Sequence, residues 1–499
     1  MSEAPRPVKT VVIVGRDEAL WLTANVLHRA LRASGLTLTA VELPSLLRPG
    51  EVIPTLGSQS AFHTLLGLDE TLLIEAIGAT FTLGQRFVGW AKNKPPFMLG
   101  YSSVGVPLER IPFHHHWGRA RAGGLTAAYE DFAINAVAAK NGRFVTGGTD
   151  LQGFAQSEYG YHLPALPYVE VLRETAQTRG IAQVKAHHVS PDHDGERMRA
   201  VVLSDGTRIE GDLFIDATGG DARLLSQMPG TGFNSWRSWF PCDRFLTGYA
   251  APMSPLPAYA QITAFRSGWT GLFPVRDYTA LQQVYLSSDL SDDEAFEMAG
   301  MVASLPFNPQ ATVTPFEAGR RAQAWSGNVI ALGEAAAVFD PLDSVRMPAL
   351  LTGLSHLVSL FPLDTGCIEA AVYNRTVTQA YERLRDFQCL HYKLNQRRDQ
   401  PLWDRLRGAE PPETVAHKLR LFAARGHMPM YDDEAFDEAL WIAACIGHGL
   451  IPEACDPMAD QVPEPQVIAH FQKVLGYLRQ QVEALPPMEA VLKRQMQRA

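Results

Sequence analysis

Apolar residues first gather at 11–14, Val-Val-Ile-Val, a β-branched run with no polar interruption. Such a run fits a parallel strand buried on both faces. Gly15 follows, then a helical stretch over 18–33, then a second strand over 36–41 that ends at Glu42. The pattern predicts a βαβ unit with a carboxylate closing its second strand, where a dinucleotide fold keeps its ribose ligand. Residues 44–160 are mixed and read as loops and helices inserted between parts of the sheet. An amphipathic helix is predicted over 168–179, then a strand over 198–204, a turn at Asp205-Gly206 and a strand over 207–210. A buried strand over 212–216 runs into Ala217-Thr218-Gly219-Gly220. Residues 252–304 are strand-like, with a helix over 292–301, and read as an antiparallel layer on the substrate side. A short strand over 328–332 leads through Gly333-Glu334 into a small-residue helix, and helices over 373–392, 432–446 and 465–485 fill the last part. The loop 405–414, with Gly408, Pro411 and Pro412, is the best late boundary.

Composition narrows the classes. The chain has 499 residues, 46% hydrophobic and 19% charged, enough apolar material for a large core. A net charge of -9 argues against a general nucleic-acid or anionic-membrane binder. No apolar stretch reaches membrane-spanning length, and no signal-peptide core precedes the first strand. Five scattered cysteines, with no CxxC pair, fit a reduced, cytoplasmic protein without a structural zinc site.

The turn after the first strand is Gly15-Arg16-Asp17-Glu18-Ala19-Leu20. A dinucleotide site wants Gly-x-Gly-x-x-Gly, so that bare backbone meets a pyrophosphate at a helix N-terminus. Only the first glycine is present. Asp17 and Glu18 favour the helix dipole but would repel a pyrophosphate, and Arg16 offsets part of that. The turn reads either as a structural helix start or as an altered nucleotide site.

The later turns add direction. Gly333-Glu334-Ala335 stands where flavoprotein hydroxylases carry Gly-Asp-Ala, with Glu334 in the place of the aspartate that meets the flavin ribityl chain. Asp216-Ala217-Thr218-Gly219 resembles their strand-end ATG motif. Further segments are more specific. Ala79-Thr80-Phe81-Thr82-Leu83-Gly84, with Phe87 and Trp90, resembles ATFKLG…F…W. Arg320-Arg321 precedes the Gly-Glu turn. Phe339-Asp340-Pro341-Leu342-Asp343-Ser344 resembles EPLES, and 381–387 with His391-Tyr392 resembles YERIRDF…HY. On these motifs, which run over about 10–400, the chain resembles the flavin-dependent tryptophan halogenase family.

The resemblance implies an α/β, Rossmann-like FAD-binding fold of the hydroxylase and halogenase type. It would carry an inserted β-rich substrate layer within 1–362 and a helical C-terminal subdomain over 363–499. It implies FAD, held through Gly15, Glu42, Gly219, Gly333 and Glu334, and reduced by a separate flavin reductase. Its substrate would be an aromatic small molecule or a protein-bound aromatic group, and its assembly a homodimer. In the family, flavin and oxygen oxidise halide, and a lysine passes the halogen to indole. Here Thr82 takes the lysine position and carries no cation. Asp343 takes the place of the catalytic glutamate, one methylene shorter, and Ser344 follows it. The halide rests on amides after that motif, here Val345 and Arg346, and Arg346 either attracts an anion or fills the site. The WxWxIP signature becomes Trp269-Thr270-Gly271-Leu272-Phe273-Pro274, in which Gly271 for tryptophan is expected to open space beside the flavin.

His114-His115-His116 cannot all face one metal from a strand, and the run resembles the family's FxHPFG segment beside the substrate pocket. His114 and His116 read as pocket or acid-base groups, as structural residues, or as ligands of a metal with a distant carboxylate. Trp236, Trp239, Phe240 and Phe233 form either core or a stacking wall. Two functions remain open. One is FAD- and oxygen-dependent oxidation of an aromatic substrate, without lysine-dependent halogenation of free tryptophan. The other is a catalytically degenerate relative that binds a ligand or a partner.

Overall fold

The computed structural model describes residues 5–57, 59–91, 94–145, 157–308 and 310–497. Its centre is a six-stranded sheet in the order Trp325–Ser326, Val329–Ala331, Leu213–Ala217, Thr10–Gly15, Thr37–Glu42, Ala182–Lys185. Neighbours run parallel except for the first pair. Val11 to Val14 are wholly buried, because the strand lies mid-sheet and both faces are covered. Register sets Gly15 beside Ala217 on one side and beside Glu42 on the other. Three ends of the chain's predicted strands therefore meet at one carboxyl edge, the place where open α/β sheets bind ligands.

A seven-stranded sheet lies alongside, in the order Thr312–Pro315, Arg244–Ala250, Thr279–Tyr285, Gly268–Pro274, Ala260–Phe265, Gly84–Val88, Phe97–Gly100. Every residue of Gly268–Pro274 and of Thr279–Tyr285 is buried. One face of this sheet carries a separate apolar cluster with the helix Asp292–Ala303, through Leu272, Leu281, Ala295 and Ala299. The other face joins the main core. That core continues without a break into the C-terminal helices, from Val11 through Phe387 to Leu492. The longest of these, Ala370–Leu394, becomes fully buried over its second half, from Leu384 to Tyr392. Among the described residues no helix is long and apolar enough to cross a membrane.

Two predicted elements differ. After Val329–Ala331 the chain makes only a 3-10 turn, Gly333–Ala335, and a two-residue strand, Ala337–Val338. The small residues there serve a tight crossing under the sheet edge, not a helix. The helix expected over 432–446 starts at Glu438, where the Asp437 side chain accepts from the Leu440 amide and caps it.

Candidate active site

The carboxyl edge of the first sheet is bare backbone. A Cβ on Gly15 would stand 2.6 Å from the Ala217 carbonyl oxygen, so only glycine lets these strands pair so closely. Gly219 and Gly333 (φ 93° and 60°) turn the chain just beyond the neighbouring strand ends. Glu42 is half-buried, and its Oε2 is buried with no hydrogen-bond partner. The two carboxylates of the first turn do not face this edge freely. Asp17 takes a left-handed conformation (φ 56°), and its Oδ2 accepts from the Leu46 amide at 3.1 Å. Glu18 is buried and lies 2.6 Å from Arg346 Nη2, and Arg346 Nη1 lies 3.6 Å from Glu334. Burial pushes the Glu18 carboxyl up, and Arg346 opposes that. For Arg346, burial works against the charge, but Glu18 and then Glu334 more than offset it and hold the guanidinium positive. Arg346 thus offsets part of the expected repulsion within the protein. Arg346 thereby reaches the turn after the first strand.

Three residues upstream, Leu342–Ser344 form a 3-10 turn in which Asp343 and Ser344 are both left-handed (φ 60° and 57°). Two such non-glycine residues cost about 1–3 kcal/mol each. The turn is pinned from outside: Gln388 Nε2 donates to the carbonyls of Asp340 and Leu342, both at 2.6 Å. Asp343 is 2% exposed, and neither carboxylate oxygen has a hydrogen-bond partner. His391 Nε2 lies 3.3 Å from Asp343 Oδ2, an ion-pair distance off the line of a hydrogen bond. On its other side, His391 Nδ1 meets His448 Nε2 at 2.9 Å. Burial, then His391, push the His448 imidazole well below the usual histidine range, so it stays neutral.

A second chain crosses the same place. Trp269 Nε1 donates to Tyr392 Oη at 2.8 Å, and Tyr392 donates to Asp340 Oδ2 at 2.8 Å. The Leu342 amide donates to Asp340 Oδ1 at 3.0 Å. Burial pushes Asp340 up to about 7 despite these donors. Burial raises the Tyr101 phenol, and the Asp343 charge adds a smaller push in the same direction.

A model of the family described as Tryptophan halogenase matches residues 10–464. The chain belongs to the tryptophan halogenase family. Among solved structures, the flavin-dependent halogenases BrvH from Brevundimonas sp. BAL3 and Xcc4156 from Xanthomonas campestris are each 29% identical, with a TM-score of 0.92. The match covers 98% of this chain and 99% and 98% of theirs. Tryptophan 7-halogenase RebH from Lentzea aerocolonigenes is 24% identical, over 98% of this chain and 99% of its own. Membership implies FAD as cofactor and a separate reductase that supplies it reduced.

Against the tryptophan halogenase pattern, the remaining expected residues fall as follows. Thr82 is 1% exposed, and its hydroxyl donates to the Gly84 carbonyl at 3.0 Å. It closes its own turn and presents no proton outward. The space expected beside Gly271 is not open: a Cβ there would meet the Phe273 ring at 2.7 Å and the Trp269 ring at 3.3 Å. Phe273 is buried, with its ring edge-on to His162. Ser344 and Val345 are buried directly after Asp343. The histidine run lies on a helix, Phe113–Ala122, not on a strand. His114 Nε2 pairs with the Gly426 carbonyl at 2.8 Å and His116 Nε2 with that of Leu108 at 3.1 Å. These bonds tie C-terminal and loop backbone, and among the described residues no three His, Cys, Asp or Glu side chains converge on a metal. Trp236 and Trp239 lie under the Arg385 guanidinium, at 5.5 and 4.8 Å, and Trp236 packs on Phe339. Phe240, from the same cluster, is buried with its ring edge-on to Tyr392.

Sequence reasoning passed over Asp340, Tyr101, His391, Tyr392 and His448 as site residues. Asp340, His391 and Tyr392 sit inside the quoted motifs, so the signal was present. His448 follows an apolar helix and carries no local mark.

Proposed function

We propose that this chain is a flavin- and oxygen-dependent enzyme that oxidises an aromatic small molecule or a protein-bound aromatic group, without the lysine route to halogenated tryptophan. FAD is the cofactor, and a separate reductase supplies it reduced. The observation that carries the reading is Asp343: a buried carboxylate with both oxygens unpartnered, held in a strained turn three residues from the arginine that reaches the nucleotide edge. Buried polar groups are nearly always paired, and those that are not mark sites of chemistry or ligand binding.

The residues at the sheet edge fit FAD. Gly15, Gly219 and Gly333 let backbone approach a pyrophosphate and a ribityl chain. The spare Glu42 oxygen suits a ribose hydroxyl. Arg346 compensates Glu18 and Glu334, which would otherwise repel phosphate. Reduced FAD, when bound, supplies the electrons that activate oxygen. Asp343 holds or gives up a proton at Oδ2. Tyr392 and Trp269 fix Asp340 beside it, and the packed rings of Trp269 and Phe273 exclude water from that side. Thr82 offers no amine to carry a halogen.

A visible spectrum of the purified protein, followed by FAD titration and an aromatic-substrate screen with and without halide, tests this. Expected are a dissociation constant in the low micromolar range, about -8 kcal/mol, and oxygen-dependent product. No binding at roughly a hundredfold higher FAD would overturn the reading. The locked Thr82 hydroxyl favours a second reading, a degenerate ligand-binding relative. Flavin binding with no product from any substrate, recovered by Thr82→Lys, would support that one.

A further inference from the structure

The buried Asp343 carboxylate raises a question that its turn does not answer. An ionised carboxylate with no donors, out of water, costs several kcal/mol unless a charge or a proton neutralises it. The side chain placed to do so is His391, 3.3 Å away and itself wholly buried. Its ring is stacked on one face and held at Nδ1, which leaves Nε2 without a hydrogen-bond partner. Phe87 stacks parallel to it at 4.7 Å, Phe387 and Trp90 meet it edge-on, and His448 holds Nδ1 at 2.9 Å.

We propose that His391 is the proton partner of Asp343: a slight turn of the imidazole brings Nε2, 3.3 Å from Asp343 Oδ2, into line, and one proton then crosses to the carboxyl when Asp343 acts as an acid and returns when it acts as a base. The inference rests on the reading of Asp343 as the acid-base carboxylate and names how that group is supplied with its proton.

The proton count closes in both states. With the proton on His391, an imidazolium faces a carboxylate; with it on Asp343, a neutral imidazole faces a neutral acid. The pair carries no net charge either way, so the transfer moves no charge into or out of the core. His391 Nδ1–H donates to His448 Nε2 in both states, and His448 stays neutral because it is buried, so no other proton has to move. The charged and titratable groups around His391 are few. Asp343 and Asp340 face it from the strained turn, His448 from the end of Glu438–Gly447, and Tyr392 is its neighbour on the helix. The strands Gly84–Val88 and Phe97–Gly100 bring Phe87 onto His391 and Phe97 onto Phe87 and His448, and Tyr101, directly after the second strand, interacts with the Asp343 charge. Stacking against Phe87 and the His448 bond make His391 a positioning residue for Asp343, as a second carboxylate or a backbone carbonyl is for a histidine elsewhere.

The test uses the full chain labelled with 15N-histidine, with H391Q to assign the ring. In D343N, the His391 Nε2 signal is expected to move at constant pH, because the oxygen that exchanges a proton with it is gone. An unchanged Nε2 signal in D343N overturns the proposal, and this readout needs no flavin and no turnover. In the flavin-loaded protein, H391Q is expected to lower oxygen-dependent product formation by about a hundredfold or more and to change its pH profile, while FAD affinity is retained. A native rate and profile in H391Q also overturns the proposal. Should the native protein bind no FAD and form no product, the functional reading falls, and the Nε2 signal of D343N alone decides whether the two groups exchange a proton.

Discussion

Arg346 is the residue whose removal says most about the nucleotide edge. It pairs with Glu18 and Glu334, and Glu51 and Asp17 add to the negative field on it. Replacing it by leucine leaves those carboxylates facing the proposed pyrophosphate position. R346L is expected to weaken FAD binding by at least about tenfold, or about 1.4 kcal/mol. The double variant E18Q/R346L is expected to recover part of the loss, as fluorescence titration of FAD would show. Asp340 offers a separate prediction. Its folded carboxyl is raised to about 7, against an ordinary value of 3.8. Between those values the folded protein holds a proton that the unfolded chain has released, so this group's contribution to stability is intact below about pH 4 and is lost as pH rises toward 7. The slope it adds is at most about 1.4 kcal/mol per pH unit. D340N should flatten that part of the stability-pH curve, measured by urea unfolding at several pH values. At this scale the sequence was only partly legible. Motifs placed Asp343, but the partners of its carboxylate depend on which side chains a distant helix points inward, and no local pattern encodes that.

Elements show how the motifs come together. The strand Gly268–Pro274 and the helix Ala370–Leu394 touch through one donor, Trp269 to Tyr392. Trp269→Phe keeps the packing and removes the bond, leaving Tyr392 to serve Asp340 alone. A loss of about 1 kcal/mol is expected, together with a shift in the Asp340-dependent part of the pH curve, both read by denaturant unfolding. Gly15→Ala should be harsher, since its Cβ meets the Ala217 backbone and neither strand can yield without breaking register. A drop of about 2 kcal/mol or more is expected. Strand and helix periodicity disclosed the first βαβ unit and the long C-terminal helix within a few residues. The histidine run was misjudged because alternation was assumed: Pro112 ends an extended stretch, and Phe113–Ala122 winds into a helix that ties its rings to carbonyls. The turn after Val329–Ala331 looked helical because alanines favour helices, but the positive φ of Gly333 starts a tight 3-10 crossing instead.

Over the whole molecule, the family resemblance implies a boundary at residue 362, yet the apolar core crosses it without interruption, from Val11 to Leu492. The sheet and the C-terminal helices are therefore expected to melt together. Calorimetry should show one transition, and limited proteolysis should release no stable fragment ending near residue 362; two separable transitions would contradict a shared core. The same continuity has a consequence for synthesis. A chain leaving the ribosome grows at about 5–20 residues per second, and the last strand of the central sheet, ending at Ala331, emerges well before His391 and His448. The edge at Gly15 and Glu42 can be complete while Asp343 still has no imidazole beside it. In the order in which the chain is born, the place for a nucleotide comes first and the proton that would use it comes last.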